Sequence, residues 1–238
     1  MSAEEVAERV ATKGAGKHQK PQRDCWICLD DGPDESGERP QPTGCACRGG
    51  ATTHAHVGCL AKFAQEKWET WGTCPTCGQG WTGPVFVALA RRRHELAAGL
   101  PEADEERLTA AGNLTEALRE VGQYEEALRL GHATLATMRR LFGPEHPGTL
   151  HAIQALASTH GDSGDPEAAL PLYMELVATS RRVHGAEHEG TLVAIENLAA
   201  THNRMGNEHL ALPLKQEVLE ARRRTQGDGR KAFLHRQP

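Results

Sequence analysis

From residue 105 to residue 225 the apolar positions recur at three- and four-residue intervals, the pattern of amphipathic helices. The spacing predicts six helices, at 105–121, 123–141, 147–163, 166–184, 189–205 and 207–225. They come in pairs because the chain repeats itself. Gly143-Pro144-Glu145-His146-Pro147-Gly148-Thr149-Leu150 returns as Gly185-Ala186-Glu187-His188-Glu189-Gly190-Thr191-Leu192, a step of 42 residues. Gly122, Gly164 and Gly206 keep the same register, as do Leu114, Leu156 and Leu198. So do Ala127, Ala169 and Ala211, each followed by leucine; a small residue there lets two helices approach closely. Self-similarity at a fixed period means stacked helix pairs, and three are about the minimum for a stable solenoid. Upstream, Val85 to Ala98 reads as a further helix with Pro84 in its first turn, and Pro101 separates it from the repeats.

Before residue 83 the helical pattern gives way to cysteine. All seven cysteines fall between residues 25 and 77, in the order Cys25-x2-Cys28, Cys45-x-Cys47, His56-x2-Cys59, Cys74-x2-Cys77. Four close pairs of zinc-type ligands are the count for two tetrahedral sites, because two ligands on one turn can clamp a metal but cannot complete its shell. The segment has few apolar residues to bury, namely Trp26, Ile27, Leu29, Val57, Leu60, Phe63, Trp68 and Trp71. Two Zn2+ ions are therefore expected to supply much of its folding energy, on the order of 10–16 kcal/mol for structural zinc in small peptides.

Composition narrows the function classes. Hydrophobic residues make up 38% and aromatic ones 4%, which is lean for one large core. Mean hydropathy is −0.55, and no apolar run approaches the ~18 residues of a membrane span. The first 22 residues are too polar for a secretory signal, so the expected compartment is the cytoplasm or nucleus. There, clustered cysteines hold metal more often than they form disulfides. The net charge of −5 provides no global field for nucleic acid.

The C4HC3 order with one residue between Cys45 and Cys47 resembles the RING-CH (RING-variant) zinc finger. Cys45-Ala46-Cys47-Arg48-Gly49-Gly50, His56-Val57-Gly58-Cys59-Leu60 and Cys74-Pro75-Thr76-Cys77 carry the likeness. The resemblance implies a cross-brace, with Cys25, Cys28, His56 and Cys59 on the first zinc and Cys45, Cys47, Cys74 and Cys77 on the second. His54 is the alternative to His56, but only His56 keeps the two-residue gap of the other knuckles; His54 is then expected to be an exposed loop histidine. RING-type domains bind a ubiquitin-charged E2 enzyme and position its thioester for attack. The matching E2-binding positions are Ile27, Phe63, Trp68, Trp71 and Pro75, some of which could instead cover the zinc core. Many active RINGs carry a cationic or hydrogen-bonding residue just after the last ligand; here it is Gly78, followed by Gln79. PHD fingers, which read histone tails, share the ligand order but place a tryptophan two residues before the seventh ligand, where this chain has Gly72.

The 42-residue repeats resemble tetratricopeptide repeats of the kinesin-light-chain type, where the "GPEHP-x-TL" connector is typical. That family's concave groove implies peptide ligands, contacted by an asparagine ahead of the first-helix leucine. Asn113 and Asn197 hold the position, and the middle repeat has Ala155. Arg139-Arg140, Arg181-Arg182 and Arg222-Arg223-Arg224 share a register that would make either a basic edge for an acidic partner or solvated helix ends favoured by the macrodipole. His132, His160, His184 and His202 lack metal-pair spacing and read as surface or turn residues.

The expected protein is mainly α: an arm at 1–22, an α+β zinc-stabilised RING-CH domain at 23–82, a connecting helix at 83–101, a solenoid of three repeats at 102–226 and a disordered tail at 227–238. Its expected partners are an E2 enzyme and a protein substrate or scaffold in the repeat groove, with no membrane and no nucleic acid. The last repeat has no obvious polar capping helix after it, so the array is expected either to fray or to continue by self-association. The expected function is ubiquitin ligation; a catalytically silent zinc-finger and repeat adaptor is the main rival, and a histone-tail reader the third.

Overall fold

The structure, a computed structural model, describes residues 25, 27–28, 32–35, 37–42, 54–66, 71–74 and 77–234, with side chains as far as 225. It divides into two compact units, Met1–Val121 and Gly122–Pro238. Among the described residues no helix is long and apolar enough to cross a membrane.

The first unit begins with a small finger. Strands β1 (Gln41–Pro42) and β2 (His54–Ala55) pair antiparallel, Gln41 opposite Ala55 and Pro42 opposite His54. Helix α1 (Val57–Glu66) comes directly after and buries Val57, Leu60, Ala61 and Ala64. His54 is therefore a buried strand residue bridged to Cys25, not the exposed loop histidine expected: the strand pairing that holds it joins segments far apart in sequence.

Helix α2 (Gly83–Ala97) starts at an extended Thr82 with proline in its first turn, which suits a position whose N–H has no helical partner. Its buried residues Val85, Leu89, Arg93 and Ala97 recur every four positions and so lie along one stripe. The two halves of the stripe meet different neighbours. Val85 and Leu89 join Cys25, Ile27, Leu60, Trp71 and Trp81 in the finger's core. Arg93 instead reaches α3 (Glu105–Glu120), where its Nε and one Nη donate to the two Glu106 carboxylate oxygens, each at 2.7 Å. Only 8% of the Arg93 side chain is exposed, against 43% for Glu106. Helix α3 is capped by Asp104, whose carboxylate accepts from the Glu106 N–H at 2.9 Å.

The second unit consists of α4 (Tyr124–Phe142), α5 (Pro147–Asp162), α6 (Pro166–His184), α7 (Glu189–Arg204) and α8 (Glu208–Leu234), each packed on the next. Helix ends fall within two residues of those expected, except that the α8 backbone stays helical past 225 to Leu234; Gly227 and Gly229 weaken a helix without removing its hydrogen bonds as proline would. The core runs through every seam: Leu135 of α4, Ile153 and Leu156 of α5, Ala169, Tyr173 and Val177 of α6, Ile195 and Leu198 of α7, and Val218 of α8. Ala169 and Ala211 are fully covered, as a close helix approach requires.

The repeated connector has a physical role at each position. His146 and His188 are N-caps, their Nδ1 atoms accepting from the Gly148 and Gly190 N–H groups at 3.1 Å. A side chain at residue 148 or 190 would press on the capping ring, since an added Cβ would come within 3.2 Å of that Nδ1. The capping rings stack on Phe142 and on His184, with centroids 4.7 Å apart in each case.

The arginine register is neither a free basic edge nor a set of merely solvated helix ends. Arg139 meets Glu175, and 42 residues later Arg181 meets Glu217, both at 2.6 Å. Arg182 meets Glu145 at 2.8 Å, and Arg224 meets Glu187 at 2.7 Å. Arg222 reaches both Glu189 and Glu196 of α7 at 2.7 Å. The Arg139 and Arg181 pairs join one repeat to the next, while those of Arg182, Arg222 and Arg224 tie the second helix of a repeat to its own first helix or connector.

His160 and His202 also depart from the expected surface histidines, being half-buried with Nδ1 atoms that are shielded and without a hydrogen-bond partner. Burial and the neighbouring His132, 5.5 Å away between ring centroids, lower the His160 pKa below its ordinary value; Asp165 opposes them. A histidine so depressed costs no stability above its unfolded pKa. It destabilises progressively as pH falls through that value toward the folded one, because the unfolded chain takes up the proton first.

This packing carries two expected outcomes. In urea titrations of the zinc-loaded chain, Glu106→Gln should destabilise the first unit by about 2 kcal/mol, since it leaves Arg93 buried without its carboxylate. Glu95→Gln, which breaks an exposed pair with Arg92, should change little. Acidification from about pH 7.5 to 5.5 should lower the melting temperature of the second unit, and His160→Gln should reduce that dependence.

Candidate metal centre

Two ligand pairs distant in sequence converge in the finger. Cys25 and Cys28 lie at the start of the described chain, while His56 and Cys59 lie where β2 passes into α1. The four ligand atoms are all within 4.8 Å of one another. His56 Nδ1 is 3.3 Å from Cys28 Sγ and 3.7 Å from Cys59 Sγ. A tetrahedral zinc with ordinary bond lengths has ligand–ligand edges of about 3.5–3.8 Å, so the spacing suits that ion.

The orientation of His56 fits the same chemistry. Its Nε2–H donates to the Gly32 carbonyl at 2.7 Å, which fixes the tautomer and directs the Nδ1 lone pair at the sulfurs. The His56 backbone N–H donates to Cys25 Sγ at 3.4 Å, as an amide does toward a thiolate. His54, on β2 opposite Pro42, is not among the four converging ligand atoms.

The electrostatics are those of thiols crowded around a cation site. A hydrogen bond from Cys59 holds the Cys25 thiol well below its usual range, at about 4, against the opposing effect of burial; the backbone N–H groups of Cys28, His56 and Ile27 add to the lowering. That hydrogen bond, then burial and the nearby Cys25 charge, push Cys59 up. Burial pulls His56 down, but its bond to Gly32 and the nearby Cys25 outweigh it and raise it overall. The pair shares one proton because two adjacent thiolates cannot both stand uncompensated. A divalent cation removes that restriction and displaces the proton. A cleft of about 860 Å³ lined by Cys28, His56 and Cys59, with Asp34 and Lys62 at its side, opens onto the cluster.

Of the second expected set, Cys74 is buried and Cys77 exposed, while Cys45 and Cys47 lie outside the described residues. Cys74 and Cys77 flank a tight turn. The Gly78 N–H donates to the Cys74 carbonyl at 2.8 Å, and the Cys74 N–H to the Gln79 carbonyl at 2.7 Å. Gly78 closes the turn at φ +71°, in the left-handed region that favours glycine. Any side chain at this position would have to adopt that left-handed conformation.

Three of the remaining candidates meet at the finger's core. Ile27 and Trp71 are buried in the finger's core, and Phe63 is half-buried against it; Trp68 and Pro75 lie outside the described residues. Asn113 on α3 and Asn197 on α7 are half-buried. Residue types and spacing gave no sign of the Gly32 carbonyl, a backbone group. Glu175 and Glu217 also went unassigned, although their 42-residue step was there to be read.

Comparison with known proteins adds to the repeat half. The tetratricopeptide repeat profile matches residues 106–179 and again 155–224, half of the chain in all. Among solved structures, a Podosopora anserina protein assigned as a kinesin light chain with nearly identical TPR-like repeats superposes with a TM-score of 0.53 at 22% identity, covering 71% of this chain and 87% of that one. A point variant of the same protein gives 0.54 at 22% identity over 71% and 86%. BtubC from P. vanneervenii gives 0.54 at 16% identity over 71% of this chain and 61% of its own. At these identities the likeness is one of fold. No curated protein matches the chain.

The histidine assignment yields a direct outcome. His56→Ala should lose one of the expected zinc equivalents by elemental analysis of purified protein, and His54→Ala should retain both. The reverse result would move the ligand to His54.

Proposed function

The chain belongs to the tetratricopeptide repeat family, and we propose that it joins this protein-binding array to a RING-CH-type finger as a ubiquitin ligase or ligase subunit. In this reading the finger holds two zinc ions and recruits a ubiquitin-charged E2, while the repeats hold a protein substrate or scaffold. The observation that carries the reading is the skipped pairing of ligands. Cys25 and Cys28 meet His56 and Cys59, passing over the Cys45–Cys47 pair that lies between them in sequence. Interleaving of this kind is what a cross-brace requires, and it leaves Cys45, Cys47, Cys74 and Cys77 for the second ion.

The finger would not itself form a covalent intermediate. Its contribution would be to hold the E2 thioester in an attack geometry, which is an effect of orientation. Among the described E2-facing candidates the role falls first on Phe63, which remains partly exposed, since Ile27 and Trp71 are buried. Asn113 and Asn197 are the proposed peptide contacts of the repeats.

The left-handed turn at Gly78 favours a second reading, a zinc-finger and repeat adaptor without ligase activity, because no side chain projects from that position to bridge E2 and ubiquitin. One assay separates the two. Zinc-loaded protein should accelerate discharge of ubiquitin from at least one E2 in a panel. Phe63→Ala should cut that acceleration roughly tenfold, the loss usual for truncating an interface aromatic, without loss of zinc. Failure to discharge any E2 would leave the adaptor.

A further inference from the structure

Helix α8 carries a stripe that its equivalents do not expose. Leu135 of α4 and Val177 of α6 are 3% and 5% exposed, whereas Leu219, at the same place in the next repeat, is 50% exposed. Leu128 and Leu170 pack against the core, but their counterpart Leu212 is 58% exposed. Arg139 and Arg181 pair with the glutamate of the following repeat; their counterpart Arg223 is exposed. In α4 and α6 this face is the one the next helix pair covers.

The α8 version of the face is complementary to itself. Glu208, Leu212, Leu219 and Arg223 are spaced by four, seven and four residues. At 3.6 residues per turn they lie within about 60° of one another around the helix. The order acid, leucine, leucine, base is symmetric about the point between Lys215 and Gln216. Two such helices laid antiparallel across a two-fold axis would set each Leu212 against the partner's Leu219 and each Glu208 against the partner's Arg223. Opposite Lys215 would stand the neutral Gln216, so no like charges would face each other directly at the centre. An isologous contact has this property: the same patch serves both partners.

We propose that the exposed face of α8 is a homodimer surface, two copies of the chain packing α8 against α8 antiparallel through Leu212 and Leu219, with reciprocal Glu208–Arg223 pairs at the ends. One helix face is small for a stable interface, so the dimer should be reversible, with a dissociation constant in the micromolar range. The two-fold pairing distinguishes this from head-to-tail stacking, which would give open chains rather than a closed dimer.

Sedimentation equilibrium of the full zinc-loaded chain tests it. The wild type should pass from monomer to dimer with concentration and go no further. The exposed-residue variants E208R and R223E should each weaken the dimer roughly tenfold or more, since each puts like charges at both ends. Mixing the two variants should restore it as a heterodimer, because both end pairs are then opposite in sign. A monomer at every concentration, open-ended growth, a dimer indifferent to both variants, or weakened variants that mixing fails to rescue would each overturn the proposal.

Discussion

The first unit depends on one helix being buried in two different environments. The finger has few apolar residues of its own, and Val85 and Leu89, which complete its core, belong to α2. Further along the same stripe, Arg93 forms a bidentate pair with Glu106 of α3. Fifteen residues of helix make a rod of roughly 22 Å, and such a rod cannot shift at one end while staying fixed at the other. The state of the cysteine cluster is thereby coupled to the first helix of the repeat region. If a cation is held by the thiols around Cys25 and Cys59, its removal would weaken the core against which Val85 and Leu89 pack. The loss is then passed along α2 to α3.

The second unit is held by a different division of labour. Its seams are apolar, and burial of Ile153, Leu156, Ile195 and Leu198 accounts for most of the adhesion, at about 1.5–3 kcal/mol for each large side chain. The exposed arginine–glutamate pairs add little apiece. Their value lies in register. Arg139 and Arg181 each meet an acid 36 residues on, and a slip of one helical turn would leave the arginines without their acids. A stack of repeats with similar apolar faces needs such a device, because those faces alone would accept several alignments.

The range of each interaction decides how far it can be read from the sequence. Helix limits were legible because they are set locally, by His146 and His188 as caps and by the connector glycines. The close Cys and His pairs were legible by residue type and gap, whereas the grouping of Cys25 and Cys28 with His56 and Cys59 came from the family resemblance, since spacing does not say which pairs combine. The burial of His54 was not legible, since it depends on a strand pairing with Gln41 and Pro42, which lie well before it in sequence. Pro84 and the residues after it marked α2 as a helix but could not show that the two halves of its buried stripe face different neighbours. The arginine register was visible while its meaning was not, because a repeating charge has to be read together with its repeating partner. The Gly32 carbonyl that orients His56 lay beyond any such reading, as backbone groups carry no signature in the sequence.

Gly78 shows how a local constraint can limit function. The turn after Cys77 needs a left-handed residue to return the Gly78 N–H to the Cys74 carbonyl. An L-residue pays roughly 1–2 kcal/mol for that backbone conformation. A cationic side chain here would therefore be gained at the expense of the knuckle that positions Cys74 and Cys77. If the finger acts on a charged E2, the donor would be held by Gln79 or by contacts elsewhere, from the Phe63 face of α1 or from the substrate side. In such an arrangement catalytic power would rest less on the finger alone than on what the repeats bring to it, so transfer would be slow without a bound partner and faster with one.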